Sequence, residues 1–188
     1  MQMAGFSLIA KLRNKIRVKP NNSIQIGKNT RIRYCDIYVN GENNRLIIHD
    51  GANLKGVSIE LNGNNCLLEI GENCVIGENC FLSCRESETK LLIGKECMFS
   101  RNVKLMTSDG HDILRDGNRI NPAKSIYIGP HVWLADNVTV LKGVSIGNDS
   151  IIGINSTVTK SLEANTIAAG NPAQAIANSI TWQEELTF

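Results

Sequence analysis

Branched aliphatic residues recur at every sixth position through the second half of the chain. They are Ile128, Leu134, Val140, Ile146, Ile152 and Val158. A small or β-branched residue follows four positions after each of the first five, namely Val132, Val138, Val144, Ser150 and Ser156. An α-helix would instead repeat apolar residues at i, i+3, i+4 and i+7. The period of six therefore predicts a solenoid of short parallel strands, in which each hexad turns one aliphatic and one small residue inward.

The same register continues through the first half of the chain with longer intervals. The predicted coils start at Ile26, Ile48, Ile70, Ile93, Ile128 and Ile146. The last interval is 18 residues, or three hexads, which indicates a three-sided coil. The first three intervals are 22, 22 and 23 residues, so each contains a surplus of four or five. We therefore expect an all-β fold, a three-sided parallel β-helix with a long protruding loop and short helical segments at the termini.

The surplus residues fall at one corner of the predicted prism. Turn-forming residues occupy 40–44 and 62–65, and 85–89 lies at the equivalent place in the third coil. Between Leu105 and Ile128 the surplus grows to 17 residues. We predict progressively larger excursions at this corner, ending in a loop over 106–127. A long loop without secondary structure in a compact repeat is usually functional.

Composition narrows the class of protein. A chain of 188 residues suggests one domain or two, with enough length to bury a core. No run of about eighteen apolar residues occurs, which excludes a membrane-spanning helix. The apolar stretch 4–10 precedes its basic cluster, so we expect no secretory signal and a cytoplasmic protein. The six cysteines are interpreted as reduced and structural, because Cys74, Cys80 and Cys97 take the small inward position of their hexads.

Charge is distributed unevenly along the chain. Residues 1–35 contain eight basic residues and no acidic ones, so the remainder carries 12 basic against 18 acidic residues. We divide the chain into a basic amphipathic segment over 1–20, a β-helix domain over 21–176 and a tail over 177–188. The basic segment could contact an anionic lipid surface, such as the inner membrane, or an acidic polymer. A solvated helix that caps the fold is an equally good interpretation, and nucleic acid is not an expected partner.

The long loop contains the best candidate for catalysis. His111 is flanked there by Asp109 and Asp112, and a histidine of near-neutral pKa is the usual general base. The two aspartates could orient His111 or bind acceptor hydroxyls, or simply form the turn. His49 and His131 are expected to point outward at the surface without clustered partners. No cysteine pair has metal-ligand spacing, so no metal is expected.

The two tryptophans differ in position. Trp133 takes the corner position of the hexad that starts at Ile128, so its indole should project from the prism. A large exposed indole is unfavourable unless a ligand or another subunit covers it. Trp182, near the C-terminus, is interpreted as a residue that packs the tail.

The hexads and several local motifs carry a family resemblance. The motifs are Ser-Asp-Gly-His at 108–111, Arg-Ile-Asn-Pro-Ala-Lys at 119–124, Val-Trp at 132–133, Leu-Lys-Gly-Val at 141–144 and Ala-Gly-Asn-Pro-Ala at 169–173. Together they resemble the left-handed β-helix hexapeptide acyltransferases, and among these the bacterial O-acetyltransferases of capsular polysaccharide and polysialic acid. The resemblance is strong over about 70–176, and the left hand of the helix is implied by it alone.

The resemblance implies a homotrimer that binds acetyl-CoA between neighbouring prisms. It implies that His111 is the catalytic base and that Trp133 lines the acetyl and pantetheine channel. The coenzyme positions that it implies are Ala135, Gly153, Thr159 and Lys160, with Lys142 as an addition, and acceptor contacts are expected from Ser108, Asp109 and Asp112. Two positions depart from the family pattern, where Ala135 and Ile154 replace the usual Gly and Ala. The expected reaction is direct acetyl transfer to a sugar hydroxyl.

Two other functions are consistent with the same repeat. An acetyltransferase for a small acceptor, such as serine, a nucleotide-linked amino sugar or an antibiotic, would share the motifs. A non-catalytic solenoid that serves assembly or ice binding would need a flat, often Thr-rich face and no long loop. The sequence has neither of those features, which favours an enzyme.

Overall fold

A computed structural model describes residue 6 and residues 8–185, which form a three-sided parallel β-helix. Before the long loop the elements are α1 (Leu8–Arg13), β1 (Lys15–Val18), β2 (Ser23–Ile26), β3 (Arg31–Arg33), β4 (Asp36–Asn40), β5 (Arg45–Ile48), β6 (Asn53–Lys55), β7 (Ser58–Asn62), β8 (Leu67–Ile70), β9 (Val75–Ile76), β10 (Phe81–Arg85), β11 (Lys90–Ile93), β12 (Met98–Phe99) and β13 (Lys104–Met106). From the loop onward they are β14 (Leu114–Arg115), β15 (Asn118–Arg119), β16 (Ile126–Ile128), β17 (Trp133–Leu134), β18 (Thr139–Val140), β19 (Ser145–Ile146), β20 (Ile151–Ile152), β21 (Thr157–Val158), β22 (Thr166–Gly170) and β23 (Ala173–Asn178).

Each coil contributes one strand to each of three sheets. Sheet A has the order β1-β4-β7-β10-β13-β18-β21, sheet B the order β19-β16-β11-β8-β5-β2, and sheet C the order β23-β22-β20-β17-β12-β9-β6-β3. The six predicted coil starts, from Ile26 to Ile146, are direct partners in sheet B. The period of six and the three-sided cross-section are therefore confirmed.

The core is a stack of aliphatic rungs along the column. Side chains such as Ile48, Ile70, Leu82 and Leu105 are fully buried, and each lies above the equivalent residue of the coil before it. No coil can bury its apolar face alone, so stacking supplies the stability of the fold. All six cysteines are free and buried, as the sequence predicted. Burial raises the pKa of the Cys80 thiol to about 11, which keeps it protonated and unreactive.

The prediction of progressively larger excursions is wrong for the first three coils. Strands β4, β7 and β10 each have five residues, and each is joined to the next strand by a turn of only four residues. The extra residues of these coils instead lengthen the strands, and Val39 and Leu61 each add a further buried position to their coil. Only the fourth coil carries a true excursion at this corner.

That excursion, the loop 107–125, also contains secondary structure of its own. Strands β14 and β15 pair in an antiparallel hairpin, with Leu114 opposite Arg119 and Arg115 opposite Asn118. The expectation of a structureless loop is therefore wrong. The hairpin turn contains Asp116 and Gly117, both at positive φ, as a tight turn requires.

The termini differ from the prediction at one end. Helix α1 is present near the N-terminus, and β1 follows it and already pairs with β4, inside the segment 1–20. At the other end β22 and β23 form an antiparallel pair, and the described part of 177–185 contains no helix. The predicted C-terminal helical segment is thus wrong, because the chain extends sheet C instead. Within the described residues, no helix has the length and apolar character needed to cross a membrane.

Candidate functional site

The loop is fixed to the column at its base. The Thr107 hydroxyl accepts a hydrogen bond from the amide of Arg85 at 2.8 Å and donates to the carbonyl of the same residue at 3.1 Å. The carbonyl of Thr107 accepts from the amide of Lys124, where the loop returns, at 2.9 Å. Thr107 is fully buried, so both ends of the loop are tied to the third coil at one point.

A buried asparagine organises the interior of the loop. The Asn121 side-chain amide donates to Asp109 Oδ2 and to the carbonyl oxygen of His111, both at 2.8 Å. Its Oδ1 accepts from the amide of Ile113 at 2.7 Å. Because Asn121 satisfies groups on both sides of His111, it fixes the backbone that presents the imidazole.

A lysine from the following coil supports the same cluster. Lys142 Nζ donates to Asp109 Oδ2 at 2.6 Å and to the carbonyl of Asn121 at 2.9 Å, and its side chain is only 17% exposed. The hydrogen bond from Lys142 holds the pKa of Asp109 below its usual range. Lys142 thus lies under the loop, where it contacts the polypeptide itself.

The outer side of the loop is held by an ionic network. Arg119 contacts Glu86 Oε1 at 2.7 Å and Asp112 Oδ1 at 2.9 Å, and Ser108 Oγ lies 2.6 Å from the same oxygen of Glu86. The guanidinium of Arg119 lowers the pKa of Glu86. None of these three residues, Glu86, Arg119 and Asn121, was predicted from the sequence to be functional. Arg119 and Asn121 do stand in the motif 119–124, which was the available signal.

His111 itself is exposed to solvent at the surface of the loop. Its main chain is fixed by Asn121, while its imidazole faces outward. The predicted acceptor-binding residues Ser108, Asp109 and Asp112 lie within three positions of it in the chain, and each contacts another residue of the loop or column. Within the single chain these three residues shape the loop.

Trp133 lies on a groove in the outer face of sheet C. The groove has a volume of about 530 Å³, and its lining is mostly apolar, with Val75, Met98, Trp133, Ala135 and Ile154 among its residues. The Trp133 indole nitrogen donates to Ser100 Oγ at 3.2 Å, which fixes one edge of the ring. The predicted positions Ala135 and Ile154 therefore do lie beside Trp133. An apolar groove with a few polar groups is typical of a small-molecule site.

The other predicted coenzyme positions lie further along the same column. Gly153 stacks closely on the next coil, because a Cβ there would approach the Ala169 Cβ to 3.0 Å. A larger residue at this position would therefore press on the side chain of the next coil. Thr159 and Lys160 are exposed in the turn after β21.

The two remaining histidines are not isolated, contrary to the sequence expectation. His49 Nε2 lies 2.6 Å from Glu69 Oε1, and His131 Nδ1 lies 2.8 Å from Asp149 Oδ1. His131 also stacks on Trp182, with ring centroids 4.4 Å apart. Trp182 packs the tail onto the column, as predicted, and part of Trp133 is covered by this residue of its own chain.

His111 and Trp133 lie on opposite sides of one column. The loop that carries His111 leaves the corner between sheets A and B, whereas Trp133 is on sheet C, the face across the prism from that corner. One chain alone therefore does not bring the two rings together. Among the described residues no group of three or more potential metal ligands occurs.

Comparison with known proteins agrees with the repeat. The family model described as "Bacterial transferase hexapeptide (six repeats)" matches residues 125–160. A polysialic acid O-acetyltransferase of Neisseria meningitidis is 37% identical over 125 residues, 65% of this chain and 57% of that protein. One of Escherichia coli O1:K1 / APEC is 35% identical over 137 residues, 72% of this chain and 43% of that protein. The chain thus spans about half the length of these curated relatives.

A solved structure covers nearly the whole column. The crystal structure of NeuO, described as a polySia-specific acetyltransferase, has a TM-score of 0.76 and 31% identity, and the match covers 92% of this chain and 90% of that one. The chain therefore belongs to the bacterial hexapeptide-repeat transferase family.

Proposed function

We propose that the protein is an acetyl-CoA-dependent O-acetyltransferase that modifies a sugar hydroxyl of a bacterial surface polysaccharide. The observation that carries the proposal is the presentation of His111. It is an exposed imidazole on a loop whose backbone is fixed on both sides by the buried side chain of Asn121. An exposed imidazole on a fixed backbone is expected of a general base, whereas a surface histidine without a function would not need such a support.

The opposite placement of His111 and Trp133 supports a site shared between subunits. In a cyclic trimer, the loop of one subunit can reach the groove on sheet C of the next subunit. The proposed enzyme is thus a homotrimer with three equivalent clefts, each made from two chains. An exposed histidine and an apolar groove are then two halves of one site.

The groove on sheet C suits a long, mostly apolar donor. Trp133, Met98 and Ile154 offer apolar surface for a pantetheine arm, and Lys160 offers a charge for a phosphate group. Acetyl-CoA supplies an acetyl group activated as a thioester. Ala135 narrows the groove beside Trp133, where the family pattern has glycine, so we expect it to limit the size of the acyl group that fits.

In the proposed reaction His111 acts as a general base. Its imidazole removes the proton from the acceptor hydroxyl while that oxygen attacks the thioester carbonyl. The tetrahedral intermediate then collapses and its carbon–sulfur bond breaks, and the departing sulfur takes the proton from the imidazolium of His111 to become the free thiol of the coenzyme. A positioned general base contributes about 10²–10⁴-fold to the rate, and orientation of two bound substrates contributes the remainder.

The acceptor class follows from the basic end of the column. Lys11, Arg13, Lys28 and Arg31 are exposed there, whereas Lys15 and Arg17 pair with Asp36. Clustered cations raise the local concentration of a polyanion. We therefore propose an anionic polysaccharide, of the kind that the names of the relatives mention, as the acceptor. The same charges would let the enzyme work in the cytoplasm beside the inner membrane.

Acetyl transfer should be tested directly on purified glycans. The protein is incubated with acetyl-CoA and either polysialic acid, a neutral polysaccharide or small acceptors, and the products are analysed by mass spectrometry. We expect acetyl esters on the anionic polymer, lost in His111→Ala and retained in His49→Ala, a histidine outside the site. Transfer only to a small acceptor would replace the polymer in the proposal. No transfer and no binding of CoA would contradict the proposed activity.

The basic end is tested in the same assay. Neutralising Lys11, Arg13, Lys28 and Arg31 should weaken use of the anionic polymer and flatten its salt dependence. Neutralising two exposed lysines of a later coil, Lys90 and Lys95, is the control for the loss of charge away from this end. Equal activity of both variants at low salt would remove the basic end from the proposal.

A further inference from the structure

The residues after β23 form a short strap that runs along the column. Ile180 exchanges hydrogen bonds with Asn165, its amide donating at 3.2 Å and its carbonyl accepting at 3.0 Å. Thr181 Oγ1 donates to Asp149 Oδ1 at 3.2 Å, and Trp182 Nε1 donates to the carbonyl of His131 at 2.8 Å. Three successive residues of the strap, 180–182, thus contact three successive coils, and the strap ends beside the groove of Trp133.

At that end three aromatic rings form one cluster. The Trp182 indole stacks on the His131 imidazole at 4.4 Å with an interplanar angle of 7°, and it meets Trp133 at 5.8 Å with an angle of 42°. The His131 ring is fixed in turn by Asp149, the residue that also accepts from Thr181. Each ring therefore has a partner that restricts its rotation.

These contacts leave Trp133 held from two directions. Ser100 binds the indole nitrogen from the preceding coil, and Trp182 packs against the ring from the strap. Trp182 is not among the residues that line the groove on sheet C, so it acts on the groove through Trp133. We propose that Trp182 is a positioning residue for the donor groove, and that the stack on His131 fixes it in that role. The inference rests on the proposed function of the groove.

The test compares Trp182→Ala with Trp182→Phe. Trp182→Ala should raise the KM for acetyl-CoA and the Kd for CoA, measured by calorimetry with CoA alone, by about 3–10-fold, the effect of one aromatic pair. The kcat at saturating acetyl-CoA and the KM for the acceptor should stay within about twofold, since the reacting groups are untouched. Trp182→Phe should restore the affinity, because it keeps a ring against Trp133.

A second variant keeps the inference testable if Trp182→Ala does not fold. His131→Ala removes the stacking partner but leaves the backbone carbonyl that Trp182 binds, and it should weaken CoA binding in the same direction. The double variant should bind CoA no more weakly than the single variant with the larger loss of affinity, because the two residues act as one unit. Unchanged CoA affinity in both single variants would overturn the inference.

The same measurements distinguish a failure of this inference from a failure of the proposed function. If Trp133→Ala weakens CoA binding while Trp182→Ala does not, the inference is wrong and the donor groove stands. If the wild-type protein does not bind CoA, the proposed function fails and the inference fails with it.

Discussion

The column and the loop 107–125 are stabilised by different interactions. Rungs of the column, such as those of Leu82 and Leu105, are apolar and fully buried, and each is supported by the coils above and below it. Most of the loop is exposed, and its shape depends on a few polar anchors, with Asn121, Lys142 and Arg119 at their centre. The column therefore carries the stability of the protein, and the loop carries the geometry of the site.

A substitution should therefore have different effects in the column and in the loop. Loss of a rung should lower the free energy of unfolding, because it leaves a cavity that the rigid column cannot close. Loss of a loop anchor should lower the rate of transfer with little change in stability, since a loop can loosen without unfolding the column.

The largest effect is expected for the imidazole. Replacing His111 by Ala should lower kcat by about 10²–10⁴-fold, because the general base is lost. Thermal stability and CoA affinity should stay unchanged, since the side chain is exposed and lies outside the groove. Steady-state kinetics and calorimetry measure the two quantities, with His49→Ala as the control. A kcat within tenfold of wild type would assign the base to another residue.

A rung of the column should show the opposite behaviour. Leu82→Ala is expected to lower the free energy of unfolding by about 2–5 kcal/mol, as buried large-to-small substitutions do. Activity per folded molecule should change little at a temperature where the variant is folded. Denaturant titration measures the effect, and Leu114→Ala, at an exposed leucine of the loop hairpin, should be neutral. Equal losses in the two variants would contradict the division between column and loop.

The loop anchors should affect the rate without affecting stability. Asn121→Ala and Lys142→Met should each lower kcat by about 10–100-fold, because a small displacement of a catalytic group is costly. Lys142→Arg should recover part of the activity, since it keeps a cation beside Asp109. The midpoint of thermal unfolding should stay within a few degrees of the wild type. Wild-type kcat in Asn121→Ala would show that the loop backbone does not position His111.

As the pH falls, the loop should lose its ordered structure before the column does. The pKa values of Asp109 and Glu86 are held below the usual 3.8 and 4.5 by Lys142 and Arg119. Because both pKa values are lower in the folded protein, the two ion pairs contribute fully at a pH above the usual pKa values. That contribution is lost as the pH falls through the pKa values of the folded protein. Protection of the Ile113 amide from hydrogen exchange, corrected for intrinsic rates, should hold at pH 6 and fall at pH 3. Amides of β10 should stay protected, and parallel loss in both regions would contradict the prediction.

The sequence predicted the column well because its determinant is local and repeated. Each coil start, from Ile26 to Ile146, marks the same inward position, so an error in one hexad would be corrected by the next. The predicted turn-forming residues do lie in the turns 41–44 and 63–66, but the extra length of these coils was assigned to the turns and lies in the strands before them. A buried Val39 or Leu61 looks the same in sequence whether it begins a loop or lengthens a strand.

The site was predicted less completely, for a physical reason. His111 and Trp133 could be chosen by residue type and by their place in the repeat. The contacts of Asn121, Lys142 and Glu86 depend on how the loop folds back on two different coils, and no period encodes that. His131 was likewise taken as isolated, because its partner Trp182 lies 51 residues away in the chain.

The claim that one cleft is built from two chains has a direct test by subunit mixing. Co-expression of His111→Ala and Trp133→Ala chains at equal levels, with different tags, gives mixed trimers that can be purified. If each site takes its histidine from one chain and its tryptophan from the next, each purified mixed trimer contains one intact site out of three and should show about a third of wild-type activity. Activity no greater than that of the two separate variants would contradict a shared site.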